Sequence, residues 1–128
     1  GIRVLLAEDN DLSAEIAQLQ LEKSGLKVTR VADGREAVER YRCEGGGAFD
    51  VILMDIMMPR MTGCEAAKAI RALPGRPDAA KIPIIAMTAN AFAEDVQASL
   101  AAGMDAHLSK PFVMKDVLET ISRLLAQA

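Results

Sequence analysis

The sequence predicts an α/β fold, a doubly wound five-stranded parallel sheet of strand order 2-1-3-4-5 with helices on both faces. Three observations predict it. Short apolar runs alternate five times with longer segments of helical pattern. The first, third and fourth runs are almost continuously apolar, as parallel strands are when helices cover both faces. Each crossover must be right-handed, so covering both faces requires the sheet to reverse direction once. The order 2-1-3-4-5 does this and leaves a crevice between strands one and three.

The strands are expected at residues 2–7, 27–31, 50–55, 82–87 and 105–109. The second, Lys27-Val28-Thr29-Arg30-Val31, alternates in polarity and suits a sheet edge. The helices are expected at 11–24, 34–44, 64–73, 90–102 and 112–126. Ser24-Gly25 stops the first, with Gly25 as the residue just past its end. Asp33-Gly34 opens the second, and Gly45-Gly46-Gly47 ends it. Thr62-Gly63 precedes the third, and Gly103 follows the fourth. The stretch from Pro74 to Asp78 is the longest loop and carries no chemical signal. In the last helix Val117, Leu118, Ile121, Leu124 and Leu125 form one buried face. The first helix has two apolar stripes, Leu12-Ile16-Leu19 and Ala17-Leu21-Ser24. A helix lying on a sheet needs only one. The first stripe is therefore either an exposed docking surface or part of a wide buried face.

A chain of 128 residues, 51% hydrophobic, is read as one domain spanning residues 1–128. It begins almost on its first strand and ends within its last helix, as a domain of a longer protein would. No apolar run approaches the roughly 20 residues of a membrane span. The start GIRVLLAEDN turns acidic too soon for a signal peptide. A formal charge of −3 gives no basic footprint for nucleic acid. Cys43 and Cys64 have no metal-ligand spacing and read as free thiols. The expected location is cytoplasmic, with no direct membrane contact.

Chemistry concentrates at the strand ends. The first strand runs into Glu8-Asp9, the third into Asp55, the fourth into Thr88 and the fifth into Lys110-Pro111. In a parallel α/β sheet these carboxyl ends share one edge, where ligands bind. Three carboxylates, a hydroxyl and an ammonium together can hold a divalent cation and a phosphoryl group, with Asp55 placed as acceptor. Thr88 is also well suited to cap the following helix. The methionines at 54, 57, 58, 61 and 87 read as core and loop packing rather than soft-metal ligands.

The segments AEDN at 7–10, MDIMMPRMTG at 54–63, AMTAN at 86–90 and LSKPF at 108–112 cover the chain in one order. With them it resembles the receiver domains of two-component response regulators, most closely those attached to hybrid histidine kinases. The resemblance implies a flavodoxin-like (βα)5 fold. It implies that Asp55 takes a phosphoryl group from a partner's phosphohistidine in a magnesium-dependent reaction. It makes Asp9 and Asp55 direct Mg2+ ligands, Glu8 a ligand through water, and Met57 a ligand through its backbone carbonyl. Lys110 would pair with Asp55 and then with a phosphoryl oxygen, and the Lys110–Pro111 bond would be cis. Thr88 would move its hydroxyl onto the phosphoryl group, aided by the Ala89 amide. Met57 and Asn90 flank the site. At position 107 the family commonly has Tyr or Phe, whose ring turns inward as the threonine moves. A half-buried His107 could do the same, or could be a passive strand residue.

The partner implied is a histidine kinase or histidine phosphotransfer domain, because His107 is the only histidine and lies in a strand. An aspartate-nucleophile phosphatase is the first rival, but Met57 stands where those enzymes usually carry a second aspartate. A docking-only pseudo-receiver is the second, although all five site residues are present. A nucleotide-binding flavodoxin-like domain is the third, without a Gly-rich loop after the first strand to support it.

Overall fold

The computed structural model describes residues 2–44, 48–58, 60–88, 93–109 and 113–127, with backbone alone for 93–96 and 127. Five parallel strands, β1 (Arg3–Ala7), β2 (Lys27–Val31), β3 (Val51–Asp55), β4 (Ile84–Thr88) and β5 (Ala106–Ser109), form one sheet in the order β2-β1-β3-β4-β5. The helices are α1 (Asp11–Lys23), α2 (Gly34–Glu44), α3 (Gly63–Arg71), α4 (Ala93–Ala101) and α5 (Met114–Gln127). Fold class and strand order are those expected. The alternating second strand is indeed an edge, paired only with β1.

Because successive strand residues point to opposite faces, the buried strands supply two cores. Leu5, Ile52, Met54, Ile84 and Ala86 face α2 and α3, meeting Ala37, Tyr41, Ala66 and Ile70. Val4, Leu6, Leu53, Ile85 and Met87 face α1 and α5, meeting Ala17, Leu21, Val117 and Ile121. Burying one such aliphatic chain is worth roughly 1.5–3 kcal/mol. Leu12, Ile16 and Leu19 gain only part of it, being 67%, 49% and 52% exposed. The first α1 stripe is thus a surface feature. The second is buried at Ala14, Ala17 and Leu21. Ser24 does not belong to it: it is exposed and caps the helix end.

The helix ends follow from local chemistry. At the end of α1, Gly25 adopts φ +90°, the Leu26 amide donates to Leu21 O and the Gly25 amide to Glu22 O. That double bond is the Schellman arrangement, and it needs the left-handed residue that glycine supplies. Asn10 caps the start of α1 by accepting from the Ser13 amide at 2.9 Å. Thr62 and Glu65 cap α3 reciprocally.

The stretch after Pro74 holds more than a plain loop. Pro77–Ala80 is a 3-10 turn, started by proline where a missing N–H does no harm. Asp78 there accepts from the Tyr41 hydroxyl at 2.6 Å and pairs with Arg76, whose guanidinium lies over the Tyr41 ring. Nearby, Arg71 donates to the carbonyls of Ala79, Ile82 and Gly103 and to Asp105. Asp105 also accepts from the Ile84 amide. This one guanidinium therefore ties α3 to the starts of β4 and β5.

Candidate functional site

Parallel pairing sets the strand ends side by side. Ala7 is in register with Met54, and Asp55 with Met87. The carboxyl ends of β1, β3 and β4 therefore share one edge. Glu8 and Asp55 are buried there at 3% and 5% exposure, while Asp9 is exposed. One carboxylate oxygen from each of Glu8, Asp9 and Asp55 lies within 4.8 Å of the others. No histidine or cysteine belongs to this cluster. A set of hard oxygen donors fits Mg2+, which favours carboxylates, phosphate and water over nitrogen or sulfur.

Backbone groups hold the carboxylates in place. The Asn10 amide donates to Glu8 Oε1 at 3.2 Å, and the Met57 amide donates to Asp55 Oδ1 at 3.1 Å. One oxygen of Asp55 is thus held by the residue two places after it. Arg30 donates to the Glu8 carbonyl at 2.7 Å and pairs with Asp11 at 3.0 Å. Sequence patterning did not signal this, since an alternating edge strand does not reveal which way its cation turns.

Thr88 is the last residue of β4 and is buried at 4% exposure. It faces Ser109 in register, and His107 faces Ala86. His107 therefore lies two residues before the level of Thr88 on the neighbouring edge strand. His107 is exposed rather than half-buried: it points to the opposite face from Ala106 and Leu108, which pack into the α1/α5 core. It lines a shallow groove with Leu100, Glu119 and Arg123. The methionines also divide. Met54, Met58 and Met87 are buried, but Met57 is 73% exposed and presents its side chain at the site's rim. Lys110, Pro111, Pro59, Ala89 and Asn90 lie outside the described residues.

Asp33 opens α2 as expected, but its partner Arg60 went unread in the sequence. Asp33, buried at 2% exposure, accepts from the Glu36 amide at 2.8 Å and from Arg60 Nε at 2.7 Å. Burial works to raise its carboxyl pKa, but the Glu36 amide and the Arg60 guanidinium outweigh it and hold the group below the usual range.

The chain matches the family model described as response regulator receiver domain over residues 4–122. It is 36% identical over 125 residues to the peroxide stress-activated histidine kinase mak1 of Schizosaccharomyces pombe, covering 98% of this chain and 8% of that protein. It is 37% identical over 119 residues to the sensor protein GacS of Pseudomonas syringae, covering 93% of this chain and 13% of that one. It thus spans about a tenth of the length of these relatives. Among solved structures, the receiver domain of the Pseudomonas aeruginosa sensor histidine kinase PA1611 aligns with TM-score 0.87 and 36% identity over 98% of both chains. That crystal structure has magnesium coordinated in its active-site cleft. The co-crystal structure of the Saccharomyces cerevisiae phosphotransfer protein Ypd1 with the Ssk1 receiver domain aligns with TM-score 0.82 and 29% identity, covering 98% of this chain and 89% of that chain.

Proposed function

This chain belongs to the response-regulator receiver domain family, and from that premise we propose that it is a phosphoacceptor switch whose acceptor is Asp55. The observation that carries this reading is the convergence of Glu8, Asp9 and Asp55 at the sheet's carboxyl edge. The donor is a phosphohistidine on a histidine kinase or phosphotransfer protein. A carboxylate oxygen of Asp55 attacks phosphorus, the N–P bond breaks, and the imidazole leaves and takes up a proton. The product is an acyl phosphate. Little covalent help is needed, so the protein's task is to position the groups and offset charge.

Asp9, Asp55 and the Met57 carbonyl would hold Mg2+, with Glu8 acting through water. When bound, the metal supplies positive charge to the phosphoryl oxygens. Asp55 is presented by the Met57 amide on its Oδ1. Thr88 donates its hydroxyl to a phosphoryl oxygen, and the Lys110 ammonium pairs with another. Phosphorylation then shifts an equilibrium between two conformations. His107 and the α4–β5 surface would carry the readout.

We read residues 1–128 as a single receiver domain, a signalling module rather than an enzyme acting on a diffusible substrate. No helix among the described residues is long and apolar enough to cross a membrane. A cytoplasmic receiver within a hybrid histidine kinase fits the relatives matched.

The test is incubation with magnesium and acetyl phosphate, followed by peptide mapping of the added mass. One phosphoryl group on Asp55 is expected, and none on Asp55→Asn. Stoichiometric labelling of the Asn variant would overturn the assignment.

A further inference from the structure

The segment leading from Asp55 to α3 is closed at its base, where the Gly63 amide donates to the Ile56 carbonyl at 3.0 Å. It also lies hard against the start of α2. A Cβ on Gly34 would sit 2.5 Å from Met61 O, and one on Gly63 would sit 2.3 Å from Asp55 O. Those contacts leave no room for side chains, so both glycines are required by close approach.

Arg60 sits at the outer end of this segment with φ +65°, the single non-glycine residue at positive φ among the described residues. Glycine would hold that backbone without strain, whereas an L residue there is uncommon. What arginine adds is its guanidinium. That group reaches back to Asp33, whose side chain is 3% exposed and whose other oxygen caps α2 through Glu36 N. The same segment delivers the Met57 amide to Asp55 Oδ1. Arg60 therefore joins the α2 cap to the segment whose first turn carries the Met57 amide.

We propose that Arg60 is a positioning residue: its ion pair with Asp33 holds the segment after Asp55 so that the Met57 amide stays on the Asp55 carboxylate, and this sets the affinity of the acidic cluster for magnesium. The proposal rests on the phosphoacceptor reading for its metal. It adds that the β2–α2 turn, whose Asp33 is not a member of the acidic cluster, controls the site. Positioning groups behind metal ligands typically change metal affinity by about 10- to 100-fold when removed. Arg60 is exposed to solvent and acts through a backbone amide, so the low end of that range applies.

The experiment compares the 15N-labelled domain with Arg60→Gly, Arg60→Lys and Tyr41→Phe. Arg60→Gly relieves the backbone while deleting the ion pair, whereas Arg60→Lys keeps a cation on the same backbone, so the two together separate the effects. Tyr41→Phe loses the bond to Asp78 on the far side of α2 and serves as a control for stability alone. The Met57 amide resonance should shift in Arg60→Gly in magnesium-free buffer. Titration with magnesium chloride should show affinity weakened about tenfold. Arg60→Lys should lie closer to the wild type than Arg60→Gly does, and Tyr41→Phe should bind like the wild type. An unmoved Met57 amide with wild-type magnesium affinity in Arg60→Gly overturns the proposal. So does an equal loss of affinity in Tyr41→Phe. A wild-type domain with no magnesium response would instead overturn the phosphoacceptor reading, while the metal-free Met57 amide still decides whether Arg60 positions the segment.

Discussion

Replacing Asp9 with asparagine should stabilise the domain without magnesium and destabilise it, relative to wild type, with magnesium. Three carboxylate oxygens lie within 4.8 Å of one another. At that distance one like-charge pair costs about 0.9 kcal/mol at water's dielectric constant and about 3.5 kcal/mol at an effective value of 20. Asp9 is exposed, so the water-like figure applies. Glu8 and Asp9 are chain neighbours and repel in the unfolded state too, so that pair largely cancels. The Asp9–Asp55 pair remains, and its removal should gain about 0.9 kcal/mol. Unfolding entropy near 2.1 cal/mol/K per residue makes this about 3 °C in Tm for a domain of 128 residues. In wild type, magnesium at ten times its Kd adds about 1.4 kcal/mol, or about 5 °C. Asp9→Asn should forgo most of that gain. Thermal melts followed by circular dichroism, in EDTA and across a magnesium series, should therefore show two curves that cross. A higher salt concentration should shrink the metal-free gain. A variant that melts below wild type in EDTA, or one that gains equally from magnesium, would refute the argument.

Thr88→Ala should still accept phosphate from acetyl phosphate, yet fail to change the β5 surface. Comparing His107 in free and beryllofluoride-bound forms checks this, and an unchanged ring in wild type would remove His107 from the switch. Arg71→Met should lower stability by about 3–5 kcal/mol, because the carbonyls of Ala79, Ile82 and Gly103 lose a shared charged donor. Urea titration measures it, and the magnesium response should survive. The Arg76 guanidinium, then the Tyr41 hydroxyl, pull the Asp78 carboxyl down to about 2. A depressed folded pKa contributes stability above the unfolded value near 3.9 and loses it as pH falls towards 2. Tyr41→Phe should therefore flatten the acid limb of a stability–pH curve between about pH 4 and 2.

Much of the fold was legible because apolar runs and helical periodicity are local signals. Val51–Asp55 is buried at every position, and the sequence shows it as an unbroken apolar run ending in a carboxylate. The acidic cluster was legible because a strand-end carboxylate can lie only on one sheet edge. What stayed hidden depends on distant partners. Nothing in the string PGRPD shows that Asp78 will meet Tyr41, 37 residues earlier. The positive φ of Arg60 is likewise invisible, since arginine is not the residue such a backbone favours. The exposure of His107, which does lie in the fifth strand, has a simple cause. Strand alternation predicts a face, but a residue on an edge strand is buried only if a helix also covers it. Ser24 continued the spacing of a buried stripe, yet it is the cap that ends α1, just before Gly25 turns the chain.

Arg71 has a mechanical consequence. It fastens the first residue of β4 through Asp105, and it grips the chain just ahead of β4 and β5. From Ile84 to Thr88 the strand runs about 13 Å further, at about 3.3 Å per residue. Along that length it is paired on both sides, with β3 up to Asp55–Met87 and with β5 up to Thr88–Ser109. A shift at Thr88 is therefore shared with Ser109 of β5, while Arg71 holds the opposite ends of both strands. A displacement that begins at the acceptor edge can thus reach the outer surface of β5 without loosening the rest of the molecule.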